Sequence, residues 1–135
     1  KEIERFIARH DLKGFNFNPH FPVNTLALMR GAVAAEAEGV LAPYVDAMFH
    51  FMWEKPRKLD DGDVFHATLT EAGLPAERLL ELIATPDIKA QLMANTQTAV
   101  DQGVFGIPSF VVDGELYFGK DRLESLAAAL IARSA

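Results

Sequence analysis

The run Gly103-Val104-Phe105-Gly106-Ile107-Pro108-Ser109-Phe110-Val111-Val112 limits the possible folds more than any other stretch of this chain. Gly103 follows a helix-patterned run and is expected at its C′ position, where only glycine enters the left-handed region cheaply. Gly106 loosens the loop. Ile107-Pro108 then opens an apolar, β-branched run that reads as a buried strand. Proline has no N–H to give to a sheet, so it belongs at the first residue of a strand or on an edge. An X-Pro bond here is either trans, the common state, or cis. A cis bond would leave the N–H and C=O of Ile107 pointing outward, where an extended peptide can pair with them as a strand does. Asp113-Gly114 is a two-residue hairpin turn, and Glu115-Leu116-Tyr117-Phe118 is the returning strand. Gly119-Lys120-Asp121 leads into Arg122 to Ile131, apolar at helical spacing. The end of the chain therefore reads loop, proline, strand, turn, strand, glycine, helix.

That order resembles the C-terminal half of the thioredoxin fold. The wording GVFGIPSFVVDGELYFGKDRL resembles, more narrowly, the 2-hydroxychromene-2-carboxylate isomerase family, relatives of kappa-class glutathione transferases and of the DsbA group. The connector Asn18-Pro19-His20-Phe21-Pro22-Val23-Asn24 resembles the same family's phrase. The resemblance covers nearly the whole chain. It implies an α/β, mostly helical protein: a thioredoxin-like fold with its C-terminal ββα half present and a helical domain inserted before it.

Periodicity supports that layout. Ile3, Phe6 and Ile7 share one helical face. Gly14 breaks the pattern, and Phe15-Asn16-Phe17 alternates like an extended piece or a sheet edge. Residues before Pro19 and Pro22 are pushed out of the helical region. Asn24 is expected to cap a helix that stops at Gly39. A very apolar segment from Val40 to Trp53 follows, with Pro43 in its first turn. Asp60 or Asp61 caps the next helix, Gly73 ends it, and Leu74 to Ile83 form another. Thr85-Pro86 opens the last helix of the block, to about Gln102. The expected organisation is 1–23 in the thioredoxin-like domain, 24–102 as the helical insertion, and 103–135 as the C-terminal ββα. A two-stranded hairpin is marginal alone. Lys1 already lies in a helical pattern, so a segment is expected ahead of it, and the resemblance implies that this segment is a strand, a helix and a second strand.

Composition excludes several classes. A net charge of −6 argues against a nucleic-acid partner, which needs a basic face. No apolar run is long enough for a transmembrane helix, and no signal-peptide pattern is present, so a cytoplasmic setting is expected. The chain has no cysteine, which excludes a CxxC centre within these residues. His10, His20, His50 and His66 show no metal-binding spacing, so no metal is expected. His20 is read as part of a rigid connector and His50 as a packed histidine.

Gly119-Lys120-Asp121-Arg122 sits where a helix begins. Free N–H groups and the helix dipole favour a carboxylate there, and an acid beside them can take an ammonium. Ordinary capping by Asp121 is the plainer alternative. The resemblance implies that glutathione is the cofactor. Ile107 and Pro108 would pair with it, and Lys120, Asp121 and Arg122 would hold its γ-glutamyl end. Lys120 departs from the small or amide residue usual in the family. Met48, Phe49, Met52 and Trp53 form a stripe that reads first as core, with Phe49 and Trp53 as candidates to line a pocket for a small aromatic substrate. The implied reaction is glutathione-dependent conversion of 2-hydroxychromene-2-carboxylate to trans-o-hydroxybenzylidenepyruvate. A serine ahead of Lys1 would stabilise the thiolate, so no catalytic residue is named in this chain. A DsbA-type oxidoreductase, a kappa-like transferase and a non-enzymatic binding module stay open, as does a homodimer.

Overall fold

The structure, a computed structural model, describes residues 1–134. Helices make up 62% of the chain, so the sheet is a minor element. The elements are α1 (Glu2–Arg9), α2 (Leu26–Ala37), α3 (Leu41–Trp53), α4 (Gly62–Glu71), α5 (Ala76–Ala84), α6 (Pro86–Asp101), β1 (Ser109–Val112), β2 (Glu115–Phe118), a 3-10 turn over Lys120–Arg122, and α7 (Leu123–Ser134). Two compact units follow, Lys1–Leu92 and Met93–Ala135. The division falls inside α6, which runs unbroken through residues 92 and 93.

The first unit is a helical block. Helix α2 packs on α3 and α5, and α4 packs on α3 and α5. Tyr44, Leu59, Leu69 and Leu79 are among the side chains closed off from solvent at its centre. Tyr44 donates from its hydroxyl to the Leu28 carbonyl at 2.7 Å, which satisfies a polar atom inside the core. Gly31 lies against that ring, so α2 and α3 approach closely there.

Capping explains most helix limits. The Asp61 carboxylate accepts the N–H groups of Asp63 and Val64, which starts α4. Asp60 instead accepts the Asn24 N–H at 3.1 Å. Asn24 itself stands one residue outside the N-cap position. Thr25 occupies that position, and the Asn24 Oδ1 accepts the Leu26 N–H. Gly39 and Gly73 both have positive φ just past α2 and α4.

Phe15-Asn16-Phe17 forms no strand, contrary to the expectation of a sheet edge. The Asn16 N–H donates to the Trp53 carbonyl, and its side-chain amide to the Glu54 carbonyl. The Phe15 ring stacks on Trp53 with centroids 5.6 Å apart. These residues are thus held against the end of α3 instead of joining a ladder.

In the second unit, α6 ends in a Schellman motif. The Val104 N–H reaches the Ala99 carbonyl and the Gly103 N–H the Val100 carbonyl. Strands β1 and β2 pair antiparallel in the register Ser109 with Phe118 to Val112 with Glu115. Asp113 and Gly114 both have positive φ, as a type I′ hairpin turn requires. Helix α7 packs against β1. Among the described residues the sheet has these two strands only.

Candidate functional site

The residues that the sequence singled out near the C-terminus come together in the second unit. The Gly119 N–H donates to the Pro108 carbonyl at 2.9 Å, which ties the proline loop to the turn ahead of α7. The loop is further fixed by the Ser109 hydroxyl, which donates to the Gly106 carbonyl at 2.6 Å. Gly106 leaves room for the Phe118 ring, since a Cβ on it would lie 2.9 Å from that ring. The Phe105 and Phe118 rings meet at 4.6 Å.

The Ile107–Pro108 peptide bond is cis, and so is Phe21–Pro22, which the sequence did not single out. Ile107 is 91% exposed. Its backbone N–H and C=O find no hydrogen-bond partner among the described residues. They form an open donor and acceptor next to the start of β1.

Gly119 has φ of 101°, a conformation that side chains rarely adopt. The Asp121 carboxylate folds back over it, with Oδ1 lying 2.5 Å from where a Cβ would stand. Among the described residues that carboxylate accepts no hydrogen bond. Its partner is the guanidinium of Arg122, with Nε at 4.0 Å, and both side chains are well exposed. Such a pair contributes little. The capping role considered for Asp121 is therefore not seen, and the carboxylate stays open to a ligand. Lys120 and Arg122 belong to the same 3-10 turn. The turn and loop together offer an unpaired backbone donor and acceptor, an unbonded carboxylate and nearby cations. That set can hold the polar end of a peptide-like ligand.

The other candidates lie in the first unit. Phe49 is exposed and lines a shallow surface hollow of about 550 Å³ with Asp46, His50 and Glu54 among its walls. His50 Nδ1 is 2.9 Å from Glu54 Oε2. Trp53 is half-buried between the rings of Phe15 and Phe21, so it packs the connector and does not line that hollow. His20 is exposed, whereas Asn18 is buried and donates to the Arg57 carbonyl at 3.0 Å. Sequence reasoning gave Asn18 no role; its side chain ties the connector to the Arg57 backbone and accepts the His20 N–H. Among the described residues no group of three or more His, Cys, Asp or Glu is arranged so that it could hold a metal ion. No helix there is long and apolar enough to cross a membrane.

These features define a thioredoxin-like fold of the DsbA type, mostly helical, with a small two-stranded sheet. Residues 1–131 match the family described as DSBA-like thioredoxin domain, and the chain belongs to that family. It is 33% identical over 129 residues to "Glutathione S-transferase kappa 1" from Homo sapiens, covering 82% of this chain and 57% of that protein. It is 28% identical over 134 residues to "2-hydroxychromene-2-carboxylate isomerase" from Sphingobium xenophagum, covering 96% of this chain and 65% of that protein. A solved structure of a 2-hydroxychromene-2-carboxylate isomerase superposes with a TM-score of 0.79 at 21% identity, covering 98% of this chain and 64% of the other. The chain thus spans less than two thirds of each of these relatives, which are isomerase and glutathione transferase proteins.

Proposed function

We propose that the second unit seats glutathione, and that the protein is a glutathione-dependent isomerase of 2-hydroxychromene-2-carboxylate or a close analogue. The observation that carries this reading is the pairing of two open features. One is the unpaired backbone of Ile107, and the other is the unbonded Asp121 carboxylate, joined through the Gly119 to Pro108 hydrogen bond. The N–H and C=O of Ile107 pair with the ligand's backbone as a neighbouring strand would. Asp121 takes the γ-glutamyl ammonium, and the first turn of the following helix favours its carboxylate. Arg122 adds positive charge beside it.

The chemistry needs the thiolate form of glutathione. The sulfur adds to the substrate, the pyran ring opens, a bond rotates, and the sulfur leaves with glutathione regenerated. The product is trans-o-hydroxybenzylidenepyruvate, which places the protein in aromatic breakdown. The 28% identity to a named isomerase and the GVFGIPSF and NPHFPVN phrases support this reading.

The 33% identity to a kappa-class transferase favours one second reading, in which the thioether is the final product. A single assay separates the two. Conversion of 2-hydroxychromene-2-carboxylate is followed by absorbance while free thiol is titrated. Turnover that requires glutathione but leaves its concentration unchanged is expected. Stoichiometric loss of thiol would favour the transferase, and conversion at the same rate without glutathione would overturn both.

A further inference from the structure

Among the glycines of the second unit, Gly106 is the one whose backbone does not call for glycine. Gly103, Gly114 and Gly119 have positive φ, and Gly106 does not. What Gly106 leaves is room, since a Cβ on it would stand 2.9 Å from Phe118 Cε2 and 3.3 Å from Phe118 Cζ. Phe118 closes β2 opposite Ser109. Residues opposed across a ladder put their side chains on one face of the sheet, and both members of this pair reach back to Gly106. The Ser109 hydroxyl donates to the Gly106 carbonyl at 2.6 Å, and the Phe118 ring lies where a side chain of residue 106 would be. The same ring meets Phe105, with centroids 4.6 Å apart. Little else holds this stretch. Among the described residues the backbone N–H and C=O groups of Phe105 and Ile107 make no hydrogen bond. Phe118 is 42% exposed, whereas Leu126 is buried, so the ring is not the centre of this unit's core.

We propose that Phe118 is a positioning residue, whose ring, seated on Gly106 and Phe105, keeps the Ile107 N–H and C=O in place for the backbone of the ligand. This rests on the glutathione reading of the same site. The physical reason is preorganisation. A backbone pair recognises an extended ligand only while its donor and acceptor point as a strand's would. A loop that leaves that arrangement binds more weakly, in proportion to the time it spends away from it. The Ser109 hydroxyl fixes the Gly106 carbonyl, and the Phe118 ring blocks the space into which the loop would otherwise fold.

Three variants of the full chain test this: Phe118→Leu, Gly106→Ala and the two together. Phe118→Leu removes the ring and keeps an apolar side chain. Gly106→Ala suits a backbone without positive φ and pushes against the ring. Each single change is expected to weaken glutathione binding about tenfold on calorimetric titration, the effect of a loop that is competent for roughly a tenth of the time. The double variant is expected to bind no worse than Phe118→Leu, because its alanine meets no ring. Such non-additivity marks two residues that act through one contact. Nitrogen relaxation on the free chain is a second readout. In Phe118→Leu the order parameter of the Ile107 amide is expected to fall from about 0.85, the rigid-backbone value, to below about 0.6. The Phe110 and Tyr117 amides, paired in the ladder, are expected to keep theirs, whereas a general loss of stability would loosen them too. The proposal is overturned if either single variant binds glutathione like the parent, if the two losses multiply in the double variant, or if the Ile107 amide stays as rigid as before. A parent chain that binds no glutathione would overturn the reading beneath the proposal, and the proposal with it.

Discussion

Tyr44 and Gly31 show how a single position is decided by competing magnitudes. Helix propensity alone would favour alanine over glycine inside α2 by about 1 kcal/mol. A Cβ at position 31 would, however, stand 2.8 Å from Tyr44 Cζ, in a ring that is 1% exposed and fixed by its bond to Leu28. Overpacking typically costs about 1–3 kcal/mol, so Gly31→Ala is expected to lower the melting temperature. A rise on calorimetry would show that the two helices can part there. Asp121 belongs to the same scale. Its carboxylate has no hydrogen bond to lose, so Asp121→Asn is expected to leave the melting temperature almost unmoved. Glutathione affinity is expected to fall by about 1–3 kcal/mol, the usual effect of removing one charged partner. Calorimetric titration reports the second effect and thermal melting the first. Asp121 was legible because a glycine, an acid and a helix start fall together in sequence. Phe118 was not, because it closes an ordinary strand, and its contact with Gly106 arises only from packing.

Among the elements, the helix limits were the most legible and the extended piece the least. Asp61, Thr85 and Gly103 all mark their helix ends as local chemistry requires. Asp60 was one of two candidates to cap α4 and instead accepts the Asn24 N–H, while Asn24 stands one residue ahead of the expected cap position, where its Oδ1 accepts the Leu26 N–H. Phe15 and Phe17 alternate like a strand, but their rings meet edge to face and Phe15 stacks on Trp53, so aromatic packing won over pairing. Two expectations follow for the caps. Asp61→Ala is expected to remove about 1 kcal/mol of stability, the typical loss of a side-chain cap. Urea unfolding checks this, and an unchanged midpoint would contradict it. The Asp60 carboxyl has its pKa lowered, chiefly by the Asn24 N–H and then by Lys58. A lowered folded pKa gives stability that is present above the unfolded value and is lost as pH falls through the folded one. Melting curves of parent and Asp60→Ala are therefore expected to differ at neutral pH and to converge as pH drops below the carboxylate range. A gap that persists in acid would show that Asp60 acts by packing.

For the molecule as a whole, the loop, proline, hairpin and helix order marked the fold class correctly because each junction carries its own chemical signal. The boundary between compact units was less legible, since α6 is one continuous helix and nothing in its sequence marks residues 92 and 93. The proposed site needs only the second unit, where the backbone of Ile107 and the turn around Asp121 are joined by one hydrogen bond. The most direct test maps glutathione binding over the entire chain by amide NMR. Titration is expected to move the Ile107, Gly119, Asp121 and Arg122 amides together, along one binding curve, and to leave the α4 and α5 amides in place. Glutathione that binds without moving Ile107 and Asp121, or that moves them no more than the helices of the first unit, would contradict the account.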